Sequence, residues 1–270
     1  MAKKKARATR KTKKTKIDQA FLKRYCNLRP DPLDPRDYPY ITLGMRLGVP
    51  SIPKRVDYSD ETAPVGDQSL TGSCVGWAAA HGLRRWLHYK ATGEKMKFSV
   101  RFVWIGSKEH DPFDLNAPFE LAGTRIRDAF KVMRKYGACP DSLWPFRKLL
   151  PDAGLEEEIK TEALRYRIGI YHSLQTNEDR RVHLAREGPF VVGVPVYSNW
   201  ATIGADGLVP DPGGVFRGGH AVLVVGYDDD TEWFKFQNSW STDWGDRGFG
   251  YFTYDYMEEY SWNSWGAKRL

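Results

Sequence analysis

A two-lobed α+β fold is what this sequence predicts: a helical half, then an antiparallel, barrel-like β half, with a cleft between them. Three observations support it. Helical periodicity prevails from about Lys54 to residue 165, and short apolar strand segments bounded by Gly, Pro, Asp or Asn prevail after it. A length of 270 residues suffices for two lobes around one buried interface. Aromatic residues at 14%, ten of them Trp, supply a large core and exclude extensive disorder.

Residues 1–16 hold nine Lys/Arg and no acid, so this arm is expected to be disordered by self-repulsion. The rest of the chain has 32 basic and 34 acidic residues, so the net charge of +7 belongs to the arm. Its expected partner is nucleic acid or another anionic surface, held without sequence preference and weakened by salt. Residues 17–53 read as a leader. A short amphipathic patch (Ile17, Phe21, Leu22, Tyr25) precedes RPDPLDPRDYPY, whose prolines favour extended backbone suited to lie along the body or its cleft. The body spans 54–270, with the helical lobe at about 63–165 and the β lobe at about 166–270.

In the helical lobe, VGWAAAHGLRRWLHYKATG follows Gly72-Ser73 and stops at Thr92-Gly93. A second helix runs from about Thr124 to Tyr136, with Ile126, Ala129, Phe130 and Met133 on one face and Gly137 as its cap. Weaker helical signals lie at 155–164 and 177–187. The strands are RIGIYHSL, FVVGVPVY, HAVLVVGY, WFKFQNSW and FGYFTY. YDDDTE reads as a hairpin turn, and its aspartates as solvated rather than as a cation site.

No stretch is apolar enough to span a membrane, and no apolar run follows the basic start as a secretory signal would require. A cytoplasmic, reducing setting is expected, with Cys26, Cys74 and Cys139 as free thiols. No cofactor, no metal and a monomeric state are also expected. Cys139 lacks a partner at zinc spacing, and Cys26 reads as inert.

Cys74 stands where a glycine-containing loop enters a helix, and the helix start stabilises a thiolate. Such a nucleophile needs a base within hydrogen-bond reach. His81 lies seven residues along the same helix, roughly 10 Å away, and His88 lies farther. His110, His172 and His183 read as solvated surface histidines. His220 differs, since it opens HAVLVVGY directly after Gly218-Gly219, where backbones can approach closely. Asn238, near the end of the next strand, could orient the imidazole.

These three segments together resemble the papain-like cysteine proteases, specifically a bacterial or archaeal type without the long helical pro-region. Thr71-Gly72-Ser73-Cys74-Val75 is similar to the family's C-G-S-C-W stretch, with His220 lying 146 residues on and Asn238 lying 164 on. The resemblance covers about residues 54–260. It implies Cys74 as nucleophile, His220 as base and acid, Asn238 as its orienting group, Gln68 in the oxyanion hole and Trp240 as the indole shielding the Asn–His bond. It further implies Gly123, Thr124 and Gly219 as substrate-binding backbone, with Arg125, Gly193 and Gly218 nearby. Thr71 stands where secreted members carry a disulfide cysteine, and Val75 where an aromatic is usual. The expected activity is hydrolysis of peptide bonds in a polypeptide substrate. Two alternatives stay open: an amine-accepting acyltransferase or peptide ligase on the same site, and an idle binding module tethered by its basic arm.

Overall fold

The computed structural model describes residues 17–40, 51–110 and 118–268. The basic arm and part of the leader lie outside them. Helix α1 (Gln19–Tyr25) opens the described chain, capped by Asp18 Oδ1, which accepts from the N–H groups of Ala20 and Phe21. Strand β1 (Arg55–Asp57) follows. The central helix α2 covers residues 74–92, an unbroken run whose middle, Trp77–Arg84, winds into wider π turns. It is closed by Gly93 at φ 79°, as expected from Thr92-Gly93.

Helices α3 (Val100–His110), α4 (Ile126–Lys135) and α5 (Glu156–Leu164) complete the helical lobe. The sequence shows no helical period over α3, because Val100, Phe102, Val103, Trp104 and Ile105 make an apolar run in which strand and buried helix look alike.

The β lobe contains β2 (Tyr171–Ser173), α6 (Asn177–Arg186), β3 (Phe190–Tyr197), β4 (Phe216–Asp228), β5 (Trp233–Gln237), β6 (Phe249–Thr253), α7 (Tyr254–Tyr260) and β7 (Ser264–Ala267). The strands form one antiparallel sheet in the order β2-β7-β3-β4-β5-β6, with β1 also on β4. Its edges β2 and β6 do not pair, so the sheet stays open rather than closing into a barrel. The β4–β5 turn carries the three aspartates, each paired with a base: Asp228 with Arg55, Asp229 with Arg181, Asp230 with Lys54. No helix among the described residues is long and apolar enough to cross a membrane.

Strands β3 and β4 are buried on both faces, and strand periodicity divides their side chains between two cores. Val191, Ala221, Leu223 and Val225 join the core formed with α2 and α4. Phe190, Val192, Val194, Val196, Val222 and Val224 join the second core, which holds Trp200, Trp240 and Trp244. Phe21, Leu22, Tyr25 and Cys26 of the leader belong to that second core. The alternation sends His220 and Ala221 to opposite faces of β4.

Two histidines read as solvated are buried instead. His172 and His183 are 2% and 0% exposed, their rings are joined by a 3.1 Å Nε2···Nδ1 hydrogen bond, and Tyr40 of the leader stacks on His172. Polar neighbours in sequence suggested the surface, but α6 and β2 bring both rings inward. Burial pushes His172 down to about 4 from the ordinary 6.5 and His183 well below it. Both are neutral when folded, whereas an unfolded chain takes up these protons as pH falls below 6.5. Their contribution to stability is therefore complete above pH 6.5 and is lost between 6.5 and about 4. The melting temperature should fall across that window, and fall less in His172→Gln. Equal acid sensitivity in both proteins would clear His172 of any part.

Candidate active site

Cys74 is the first residue of α2, and its thiol is fully buried. The backbone N–H groups of Ala221, Val75 and Cys74 itself point at the sulfur. Burial outweighs them and pushes the thiol up to about 11. Ala221 directly follows His220, so the nucleophile candidate sits one peptide from the base candidate. His220 is fully buried, and its Nε2 and Asn238 Oδ1 lie 2.8 Å apart. Asn238 Oδ1 also accepts the Ser239 N–H, and the Asn238 N–H donates to Gly248 O. An amide oxygen can only accept, so Nε2 carries the proton and Nδ1 keeps the lone pair. Nδ1 is buried with no hydrogen-bond partner among the described residues. Burial pushes His220 down to about 4, against a smaller upward pull from Asn238.

Trp240 roofs this pair, stacked on the His220 ring at 4.5 Å between centroids and 29° between planes. Its indole Nε1 donates to Gln68 Oε1, which also accepts from Ser239 Oγ. Indole can only donate, which fixes the orientation of the Gln68 amide and turns its Nε2 toward Thr71 O at 2.8 Å. Gln68, Cys74, His220 and Asn238 are thus brought together at the lobe boundary, all 3% exposed or less.

The remaining candidates line the two walls of the cleft, where the leader lies between them. A carbon added to Gly123 would meet the Asn27 carbonyl oxygen at 1.9 Å, and one added to Gly218, at φ 135°, would meet the Cys26 carbonyl oxygen at 1.9 Å. The Leu28 N–H donates to Gly219 O at 3.0 Å, and Asn27 Nδ2 donates to Leu121 O at 2.8 Å. The Leu28 side chain packs on Gly193, which Ile126 also reaches, and joins the first core. Thr124 is buried, and its hydroxyl has no hydrogen-bond partner among the described residues. Arg125 precedes α4 as its cap residue.

The leader then leaves along α4 and β7. Asp31 Oδ2 accepts from Trp265 Nε1 at 2.7 Å, and Arg127 binds both the Pro32 carbonyl and Asp37. The segment ends beside β2, through Ser173 N–H to Tyr38 O and Tyr40 N–H to Ser173 O. Sequence reasoning missed these contacts because their partners lie about 90 or more residues away. It also missed α3, which holds the Gly123 wall through Arg101–Glu120 and Trp104 Nε1 to Ala122 O.

A family model described as papain family cysteine protease matches residues 52–266. An uncharacterized peptidase C1-like protein of Acanthamoeba polyphaga mimivirus is 26% identical over 206 residues, 72% of this chain and 65% of its own length. Cathepsin B-like cysteine proteinase 6 of Caenorhabditis elegans is 30% identical over 219 residues, 70% of this chain and 58% of its own length. This chain therefore spans less than two thirds of these curated relatives. Among solved structures, xylellain, a cysteine protease from Xylella fastidiosa, superposes with a TM-score of 0.77 at 26% identity, covering 97% of this chain and all of that one. ProCathepsin B S9 from Trypanosoma congolense shares the fold, with a TM-score of 0.74 at 19% identity over 94% of this chain and 89% of its own. The family match spans both lobes, and the chain belongs to the papain family of cysteine proteases.

Proposed function

We propose that this chain hydrolyses peptide bonds through a Cys74 acyl-enzyme and is held latent by its own leader. The observation that carries the reading is the helix-start thiol beside an imidazole that Asn238 orients and Trp240 covers. In the closed state burial keeps the thiol protonated and the imidazole neutral, so the site is at rest. Withdrawal of residues 26–28 admits water and substrate. Both pKa shifts then relax toward each other, which favours a thiolate–imidazolium pair.

Cys74 Sγ attacks the scissile carbonyl carbon, and the resulting oxyanion receives N–H groups from Gln68 Nε2 and the Cys74 backbone. His220 gives its proton to the leaving amine. It then takes one from the water that cleaves the thioester, which releases a carboxylic acid and restores the thiol. Asn238 holds Nε2 throughout, which leaves Nδ1 free to exchange the proton with the sulfur.

The test is hydrolysis of a peptide library under reducing conditions by a chain whose leader is loosened with Leu28→Asp, against the same chain carrying Cys74→Ala. Cleavage by the first alone is expected, and equal rates would end the proposal. Amine adducts formed when an amine is added would instead mark acyl transfer. In that background Gln68→Ala should lower turnover by roughly tenfold to a thousandfold, the scale for one oxyanion donor. It should leave alkylation of Cys74 nearly unchanged, because alkylation develops no oxyanion. Asn238→Ala should cost less than His220→Ala, and equal losses in folded proteins would refute an orienting role.

A further inference from the structure

We propose that Cys26 is the resolving thiol for Cys74, so that mild oxidation locks the leader into the cleft through a Cys26–Cys74 disulfide. The inference rests on Cys74 being the reactive thiol. Two consecutive leader carbonyls touch opposite walls, Cys26 on Gly218 and Asn27 on Gly123, so the chain crosses the gap at Cys26–Asn27. Cys74 lies near this crossing, its sulfur meeting the N–H of Ala221, three residues along β4 from Gly218. The Leu28 N–H to Gly219 O bond fixes the register of the crossing. Both thiols are free and buried, and the Cys26 carbonyl and the Cys74 sulfur meet the same stretch of β4, at Gly218 and at Ala221. Burial, with a smaller push from a charge on Cys74, raises the Cys26 thiol well above its ordinary range. Cys139 lies in a separate small core with Ile159 and Ala163 and serves as an internal control.

The closed site, with both thiols protonated, is protected. The vulnerable state is the open one, where the Cys74 thiolate attacks the O–O bond of a peroxide. That step forms a sulfenic acid on Cys74 and releases hydroxide, which becomes water. When the leader recloses, the Cys26 sulfur displaces the sulfenic oxygen as a second water. Overall two thiols and one hydrogen peroxide give one disulfide and two waters, with two electrons passing from sulfur to peroxide. The product is latent, cannot progress to the irreversible sulfinic acid, and is restored by a dithiol.

The test treats the full chain with equimolar hydrogen peroxide, then alkylates and maps the peptides. Expected are the loss of two hydrogens, a single alkylated cysteine at Cys139, and a Cys26–Cys74 linked peptide. Hydrolysis should return with dithiothreitol. In Cys26→Ser a dose raised to several equivalents should carry Cys74 past the sulfenic to the sulfinic acid, and dithiothreitol should then recover about tenfold less activity than in the full chain given that dose. Oxidation of Cys74 with no link to Cys26, and full recovery in Cys26→Ser, would overturn the latch while leaving the nucleophile in place. Resistance of Cys74 to both peroxide and alkylation in the Leu28→Asp chain would overturn the latch and the nucleophile together.

Discussion

Leu28→Asp is expected to raise peptide hydrolysis by about ten- to a hundredfold over the full chain. Leu28 is 3% exposed, packed on Gly193 in the same core as Ile126, and its N–H is bonded to Gly219 O. Burying a leucine side chain contributes about 1.5–3 kcal/mol, and each 1.4 kcal/mol is about tenfold in a population. The activity of a gated site scales with the fraction open. An aspartate would also be desolvated in that apolar core, adding to the shift. Asn27→Ala, which removes the bonds to Leu121 O and Arg24 O but leaves Leu28 in place, should give a smaller gain in the same direction. If both variants matched the full chain in rate, residues 26–28 would not be the gate.

A chain beginning at Lys54 should be much less stable than one beginning at Ile17, because the leader is core as well as plug. Phe21, Leu22 and Tyr25 are 4%, 0% and 6% exposed, and Phe21 meets the edge of Trp240 at 5.5 Å, the same indole that stacks on His220. Losing three such side chains costs about 5–8 kcal/mol by burial alone, a large share of a domain's whole stability. A melting temperature lower by about 10–30 °C is the corresponding scale. A shift of only a few degrees would mean that α1 is docked but not needed. Relief of latency is therefore best sought through substitutions at Asn27 and Leu28 rather than by truncation.

What the sequence made legible was local chemistry. Cys74 at a loop-to-helix entry, His220 behind two glycines and Asn238 at a strand end each follow from neighbours within a few residues. The two long helices around 74–92 and 126–135 and the strands at 190–197 and 216–228 follow from periodicity in the same way. What escaped depends on distant partners. The leader's path is written in Gly123, Leu121, Gly219 and Arg127, none of which marks itself as a docking surface. His172 and His183 look polar and exposed until β7, a short Ser-Trp-Gly-Ala strand with no alternation, covers them. Cys26 looks inert for the same reason, because its neighbourhood exists only once the leader crosses the cleft.

The gated nucleophile is tested most directly by the alkylation rates of the three cysteines, followed by peptide mapping at mildly acidic pH with iodoacetamide. In the full chain all three are buried, and slow labelling is expected throughout. In Leu28→Asp, Cys74 alone should accelerate by tenfold or more, as opening turns a desolvated thiol into one paired with His220. His220→Ala in that background should abolish the acceleration. Equal labelling of Cys26, Cys74 and Cys139 in the loosened chain, or a Cys74 rate indifferent to His220, would contradict it.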